Sequence, residues 1–201
     1  MSRKAAVFFS ALALFLAVSA PAQACVGKSL VIGSVNRPNL SVMSEMLGIL
    51  ITERTGTTVV LRSFDSFPSL MEAMKKGDVD IMIDYSGRCY VDVLGMQPDG
   101  SSEKVFSTVK EVYQRDKNQV WLEPFGFSET GVIAGKGSGA PAFAAPIVRK
   151  DTLAKFPALP RVMNKLAGKI DNGIITRLTS EGTNGKAKKA TRKFLKDNKL
   201  I

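Results

Sequence analysis

The chain has 201 residues and a formal net charge of +10 at pH 7, and it contains no histidine. This composition excludes Ser-His-Asp and Cys-His nucleophile systems and removes the commonest zinc ligand. No Walker-type phosphate loop is present either, so we expect no catalytic residues, no metal site and no cofactor.

The first 24 residues have the anatomy of a secretory signal peptide. Two basic residues precede an apolar run over 5–18, and Ala22-Gln23-Ala24 form an Ala-x-Ala cleavage site. We therefore expect cleavage after Ala24 and a mature protein that works outside the cytoplasm. The alternative is a lipid tether on Cys25, although the residues before it match a lipoprotein signal poorly.

Two cysteines remain after cleavage, Cys25 and Cys89. An oxidising compartment allows a disulfide between them but does not require it. Cys25 precedes the first predicted strand and Cys89 follows the third, so the required reach is long. Both the paired and the free state stay open.

The first part of the mature chain predicts alternating strands and helices. Three short apolar or β-branched runs predict strands, over 30–33, 57–61 and 79–83. Such strands joined by helical crossovers form a parallel sheet that is covered on both faces.

The two crossover helices have recognisable ends. Asn39 or Ser41 can cap the first helix and Gly56 can end it, while Ser66 and Gly77 bound the second. Both segments place apolar residues on one face with the period of an α-helix.

The second half of the chain is less regular. Serines at 101 and 102 open a further helix, and short apolar runs predict strands over 120–122 and 130–134. A Gly/Pro/Ala-rich loop over 135–146 follows, and the remaining pattern is helical. We expect a single domain over 25–201, divided into a βαβαβ core (25–134), this loop, and C-terminal helices (147–201).

Much of the positive charge lies in the last helical segment. A solvated helix face is the simplest interpretation, and contact with anionic lipid or an acidic partner is the alternative. Nucleic acid is not expected, because the segment lacks aromatic stacking motifs. The basic residues are Lys186, Lys188, Lys189, Arg192, Lys193, Lys196 and Lys199.

Polar and aromatic residues follow the predicted strands at their carboxyl ends, where open parallel sheets bind ligands. Carboxylates and aromatic faces together suit an organic cation. Ordinary caps and turns would use the same residue types. The candidate ligand-binding residues are Ser34, Asn36, Phe64, Asp65, Ser66, Tyr85, Ser86 and Arg88.

Several stretches resemble the quaternary-amine substrate-binding proteins of ABC importers, which bind glycine betaine, choline or carnitine. They are IGS over 32–34 with Asn36, LITERTGTTVV over 50–60, EAMKKGDVDI over 72–81, DYSG over 84–87, WLEPFGF over 121–127, and the region from APIVR at 145–149 to 195. The matches occur in the family's order and cover most of the mature chain.

The resemblance implies a periplasmic location and a type-2 periplasmic-binding-protein fold, in which two crossing strands join two lobes. The family inserts its second lobe between the Trp-Leu-x-Pro and Ala-Pro-x-Val-Arg segments. In this chain only the residues between Phe127 and Ala145 fill that space. We therefore expect an α/β, three-layer single lobe with a mainly parallel sheet and extra C-terminal helices.

The resemblance also marks departures at the site. Tyr85 matches the tyrosine of the family's Glu-Tyr-Thr-Gly motif. Arg88 replaces a small residue and would repel an organic cation unless Asp65 or Asp84 neutralises it. Glu129-Thr130-Gly131 stand where the family carries an aromatic residue after Asn-Thr.

These observations lead to two main functions and to a third, less favoured one. The first is an exported solute-binding protein of an ABC-type osmoprotectant uptake system, which binds a small amine or zwitterion. Its partners would be an importer's membrane subunit, a sensor or a second copy. The alternative is a protein–protein interaction module that has lost small-molecule binding, with a contact patch of Phe64, Phe67, Tyr90 and Phe125, although Phe67 and Phe125 also suit the core. An exported enzyme using Asp65, Asp84 and Glu129 is a distant third.

Overall fold

The computed structural model describes residues 29–97, 101–129, 142–182 and 186–201. The predicted signal peptide, Cys25 and the predicted strand over 130–134 lie outside the described residues. The first part of the predicted loop, 135–141, lies outside them as well.

The described residues form one mixed sheet with the strand order β2-β1-β3-β6-β4, and β5 pairs with the end of β6. β1 is parallel to β2 and β3, whereas β6 runs antiparallel to β3, β4 and β5. The strands are β1 (Ser29–Val35), β2 (Thr58–Phe64), β3 (Ile81–Tyr85), β4 (Gln119–Trp121), β5 (Ser128–Glu129) and β6 (Ala142–Arg149).

Helices surround this sheet. A π-helical turn, Cys89–Val93, extends α3, and a 3-10 turn, Asn164–Leu166, extends α6. The helices are α1 (Pro38–Thr55), α2 (Phe67–Lys76), α3 (Ser86–Arg88), α4 (Ser102–Asp116), α5 (Lys150–Lys155), α6 (Leu159–Met163), α7 (Asn172–Glu181) and α8 (Ala187–Asp197).

The first two helices cover opposite faces of the sheet. In α1, Gly48 approaches Val59 and Leu61 of β2, which point to one face. In β1, Gly33 points to the other face, and a Cβ built there would lie 2.5 Å from Leu70 Cδ1 of α2. A side chain at this position would therefore push α2 away from the sheet. This arrangement confirms the predicted α/β layering.

Most of the predicted helix ends agree with the structure. Ser66 and Ser101 accept hydrogen bonds from backbone N–H groups of α2 and α4, and Gly56 and Gly77 end α1 and α2 with positive φ. The predicted cap of α1 at Asn39 or Ser41 is wrong.

The helix α1 begins earlier because Pro38 occupies its first position, where a fixed φ and a missing N–H cost nothing. Arg37 precedes it in extended conformation without a side-chain cap. This start leaves the Asn39 side chain free for another role.

The strand β6 corrects the predicted loop. Residues 142–146 of that loop, and 147–149 of the predicted helical region, form β6 between β3 and β4. Pro146 is accommodated inside the sheet and accepts a hydrogen bond from Leu122 N through its carbonyl. Tertiary packing here overrides the low strand propensity of the Ala/Pro segment.

The core lies on both sides of the sheet. Trp121 is fully buried and packs edge-on against Phe106 and Tyr113. Among the described residues, no helix is both long and apolar enough to cross a membrane.

Candidate functional site

A cleft of about 540 Å³ opens beside the carboxyl end of β3. It lies between the start of α1, strand β5 and helix α7. This is the edge of the sheet at which ligands of open α/β folds bind. The lining residues are Pro38, Asn39, Phe127, Ser128, Glu129, Asn172, Ile175, Thr176 and Thr179.

Among the described residues that line the cleft, Glu129 is the only charged one. Its Oε1 accepts a hydrogen bond from Tyr85 Oη at 2.7 Å and another from Asn39 Nδ2. Asn39 Nδ2 also donates to Tyr85 Oη. These contacts hold the carboxylate in one orientation, and among the described residues no cation pairs with it. We call the three residues Tyr85, Asn39 and Glu129 the cleft triad.

Tyr85 is the buried member of this triad. Its side chain is fully buried, and its ring meets Phe127 edge-on at a centroid distance of 6.2 Å. Burial raises the pKa of the Tyr85 hydroxyl well above its usual value, and the hydrogen bond to Glu129 raises it further. The phenol therefore stays protonated and donates to the carboxylate.

Backbone hydrogen bonds tie two walls of the cleft together. Gly168 N donates to Pro124 O, and Ile170 N donates to Phe125 O, both at 3.0 Å. Gly168 and Ile170 lie just before α7, and Pro124 and Phe125 lie just before β5. Ser128 N then donates to Asn172 Oδ1 at 2.9 Å, so β5 and the start of α7 form one connected wall.

A second acidic centre lies at the same end of β3. Asp84 is fully buried and forms a bidentate ion pair with Arg88, whose Nε lies 2.8 Å from Asp84 Oδ1. The Arg88 guanidinium also lies 3.9 Å above the centre of the Phe67 ring. Burial alone would lower the pKa of Arg88, but the hydrogen bonds and charge of Asp84 raise it overall. We call the ion pair of Asp84 and Arg88 the closed pair.

The closed pair settles how the positive charge of Arg88 is compensated. The sequence left open whether Asp65 or Asp84 neutralises it, and Asp84 does. Cys89 belongs to the same cluster, because its buried thiol donates to Asp84 Oδ2 at 3.2 Å. Burial raises the pKa of this thiol. Cys89 is free in the structure, and its predicted partner Cys25 lies outside the described residues.

The predicted ligand-binding residues occupy different surroundings. Only Tyr85 contacts residues that line the cleft. Ser34 and Ser86 are buried, and Ser86 Oγ accepts a hydrogen bond from Phe143 N at 3.1 Å. Arg88 is held in the closed pair. The remaining four lie at the surface beside β1 and β2: Asn36, Asp65 and Ser66 are exposed and Phe64 is half-buried.

The aromatic contact patch of the alternative function does not exist as predicted. Phe67, Tyr90 and Phe125 are buried in the core, and only Phe64 is partly accessible. The core interpretation of Phe67 and Phe125 is therefore confirmed, whereas the exposure that the patch required of Tyr90 is wrong.

Sequence reasoning missed most of the cleft. Asn39 was considered only as a helix cap, and Glu129 only as a departure from the family pattern and as a surface acid. The residues of α7 gave no signal, because nothing in their spacing shows that this distant helix packs beside α1. Their contribution is Asn172, Ile175, Thr176 and Thr179.

With this geometry in place, comparison with known proteins becomes informative. The family model of the OpuAC substrate-binding domain of ABC-type glycine betaine transport systems matches residues 28–134, which is more than half of the chain. The chain belongs to this family. The predicted resemblance is therefore confirmed, and the role that the OpuAC family's description gives is substrate binding in transport.

Relatives of known sequence match over part of their length. The carnitine transport binding protein OpuCC of Listeria monocytogenes is 29% identical over 153 residues, which cover 73% of this chain and 46% of OpuCC. The chain thus spans about half the length of this relative.

Solved structures of similar proteins confirm the fold. A glycine betaine/carnitine/choline ABC transporter structure superposes with a TM-score of 0.75 at 16% identity, covering 86% of this chain and 98% of that chain. Apo YehZ from Escherichia coli gives a TM-score of 0.73 at 14% identity, covering 87% and 100%. The predicted periplasmic-binding-protein fold with a mainly parallel sheet is confirmed, whereas the division into domains stays a prediction.

Proposed function

We propose that the protein is the exported solute-binding component of an ABC-type uptake system and that it binds a small amine or zwitterion in the cleft. The description of the OpuAC family supports the transport role. The observation that carries the ligand class is the cleft triad, which presents an oriented carboxylate without a paired cation among the described residues. Such a carboxylate attracts an organic cation.

The surroundings of the triad also suit a zwitterion. Helix α1 starts at Pro38 without a side-chain cap, and its first residues line the cleft. The partial positive charge at a helix N-terminus favours an anionic group. A ligand with both charges can therefore place its cation near Glu129 and its carboxylate near the start of α1.

Within the described part of the chain, the walls of this cleft are α1, β5 and α7, all on one side of it. A ligand bound here keeps part of its surface in water, so we expect affinities of about millimolar. A second copy, a sensor or an importer's membrane subunit would cover the open side. The predicted signal peptide supports export, and we propose that these encounters take place in the periplasm.

Calorimetric titration of the purified protein tests the proposal. The panel contains glycine betaine, choline and carnitine, together with glycine and ethanolamine, each up to about 10 mM. We expect saturable binding of at least one compound. In the variant Thr176→Trp, the added ring fills the cleft and binding should be lost.

The matched control is Arg177→Trp, which adds the same ring to the next residue of α7. Arg177 does not line the cleft and makes only an exposed ion pair with Glu181. Binding should survive in this variant. No binding across the panel, or equal binding by Thr176→Trp and the unaltered protein, would contradict the proposal.

A further inference from the structure

The chemistry of the cleft distinguishes between two kinds of organic cation. A quaternary ammonium has no N–H group, so it relies on aromatic faces and diffuse charge attraction. A primary ammonium or a guanidinium can also donate hydrogen bonds to carboxylates, hydroxyls and amide oxygens. The lining residues decide which of the two is favoured.

Aromatic faces are scarce in this cleft. Phe127 is the only aromatic residue among the described ones that line it, and just 1% of its surface is exposed. Its ring is stacked on Phe125 with centroids 6.0 Å apart, and Tyr85 meets it edge-on. Both neighbours are themselves buried, so these rings serve the core. No cage of aromatic faces surrounds the Glu129 carboxylate in the described part of the chain.

Hydrogen-bond acceptors are plentiful instead. The polar residues that line the cleft besides Glu129 are Asn39, Ser128, Asn172, Thr176 and Thr179. The amide oxygens of Asn39 and Asn172 each accept one backbone N–H, from Leu40 and Ser128, and keep a second lone pair. The two hydrogen bonds of Glu129 both end on Oε1. Within the described ranges no donor reaches Oε2, which is therefore available to a ligand N–H.

Both arginines near this end of the sheet pack on the Phe67 ring, and the charge of Arg37 partly offsets the rise that burial causes in the pKa of Tyr85. Arg88 is bound in the closed pair with Asp84. Arg37 projects over the Phe67 ring, with its Cζ 5.5 Å from the ring centre. The Tyr85 hydroxyl stays protonated and adds no negative charge of its own, because burial raises its pKa. Glu129 thus supplies the one formal charge among the described residues of the cleft lining.

We propose that the cleft binds a small organic cation that carries N–H groups, a primary ammonium or a guanidinium, in preference to a quaternary ammonium, and that Glu129 binds its charge. This inference rests on the proposed function, because it names the ligand class of the same cleft. The Tyr85 and Asn39 donors orient Oε1 of Glu129, and Oε2 accepts from the ligand. The hydroxyl and amide oxygens of β5 and α7 accept the remaining N–H groups.

Pairs of compounds that differ only in N-methylation test this inference. Titrations compare ethanolamine with choline and glycine with glycine betaine, at constant ionic strength. The unmethylated member of each pair should bind at least about tenfold tighter. In Glu129→Gln the amide oxygen still accepts from Tyr85, but the charge is gone, so the affinity for ethanolamine should fall about tenfold or more.

The matched control is Glu123→Gln, which removes an exposed carboxylate that pairs with Lys110 outside the cleft. Its affinities should equal those of the unaltered protein. Tighter binding of choline and glycine betaine would overturn the inference and leave the proposed function standing. Unchanged affinity in Glu129→Gln would also overturn it. If no compound binds, the proposed function itself fails, and the inference fails with it.

Discussion

Two acidic centres lie at the carboxyl end of β3 and use its last two residues. Asp84 points toward α2 and is neutralised by Arg88, whose guanidinium lies over the face of the Phe67 ring. Tyr85 points to the other face, toward α1, and holds the Glu129 carboxylate at the cleft. Successive residues of a strand face opposite sides of the sheet, so one strand end serves two different environments.

The difference between the two centres is one of compensation. In the closed pair, the Arg88 guanidinium neutralises the Asp84 carboxylate and donates hydrogen bonds to it, and both side chains are buried. The pair therefore has no charge accessible to a ligand. In the cleft triad, neutral donors orient a carboxylate that has no paired cation among the described residues. The buried, paired charge of Asp84 therefore has a structural role, whereas the Glu129 carboxylate, held in a cleft by neutral donors, is available to a ligand.

Breaking the closed pair should have the largest effect. The variant Arg88→Met leaves Asp84 buried without its cation, and we expect a loss of about 3–5 kcal/mol in the free energy of unfolding, measured with urea. Arg115→Met, which removes an exposed pair with Asp116, should change the free energy of unfolding far less, because solvent screens exposed ion pairs. The double variant Asp84→Asn with Arg88→Met should recover part of the loss. Equal effects of Arg88→Met and Arg115→Met would refute the distinction.

Alkaline pH should weaken both centres, each over its own range. Burial raises the pKa values of the Cys89 thiol and the Tyr85 hydroxyl. The unfolded chain then loses these protons at lower pH than the folded chain. The contribution of the thiol is therefore complete below about pH 8.5 and that of the tyrosine below about pH 10, and above its own limit each group costs about 1.4 kcal/mol per pH unit.

Two variants separate the contributions to this alkaline loss. In Cys89→Ser the loss should begin only near pH 10, where unfolded tyrosine ionises, whereas Tyr85→Phe should reduce the slope above about pH 10 and leave the thiol phase intact. Urea unfolding between about pH 7 and pH 11 measures both. A pH profile that neither variant changes would show that other groups cause the loss.

The smallest effect should come from dismantling the cleft triad. Tyr85→Phe removes the donor to Glu129 and should cost about 1 kcal/mol of unfolding free energy. Glu129→Gln keeps an acceptor for Tyr85 and should change stability by less than that. A double-mutant cycle of the two should give a coupling of about 0.5–1 kcal/mol. A loss of several kcal/mol in Glu129→Gln would assign the carboxylate to the fold.

The sequence predicted the local elements well where local rules decide them. The strands β1 to β3 and their crossover helices follow from apolar runs, and serines and glycines mark the helix ends. The strand β6 could not be predicted, because Ala and Pro dominate its first residues and only its neighbours β3 and β4 make it a strand. The start of α1 was misplaced because Pro38 outweighs a polar cap.

The site was less predictable than the fold, for a related reason. Tyr85 could be placed at the right strand end, since its position follows from β3 alone. Its partners Asn39 and Glu129 come from elements 46 and 44 residues away, and Thr176 from a helix beyond β6. Which of these meet depends on packing between distant segments, and neither spacing nor periodicity records it.

The backbone hydrogen bonds that join residues 124–125 to 168–170 have an energetic consequence for any guest of this protein. Because β5 and α7 are already fastened to each other before a guest arrives, little backbone entropy is lost when it settles between them. Binding there should require little rearrangement of the backbone, and the association rate should be set mainly by diffusion and electrostatic steering.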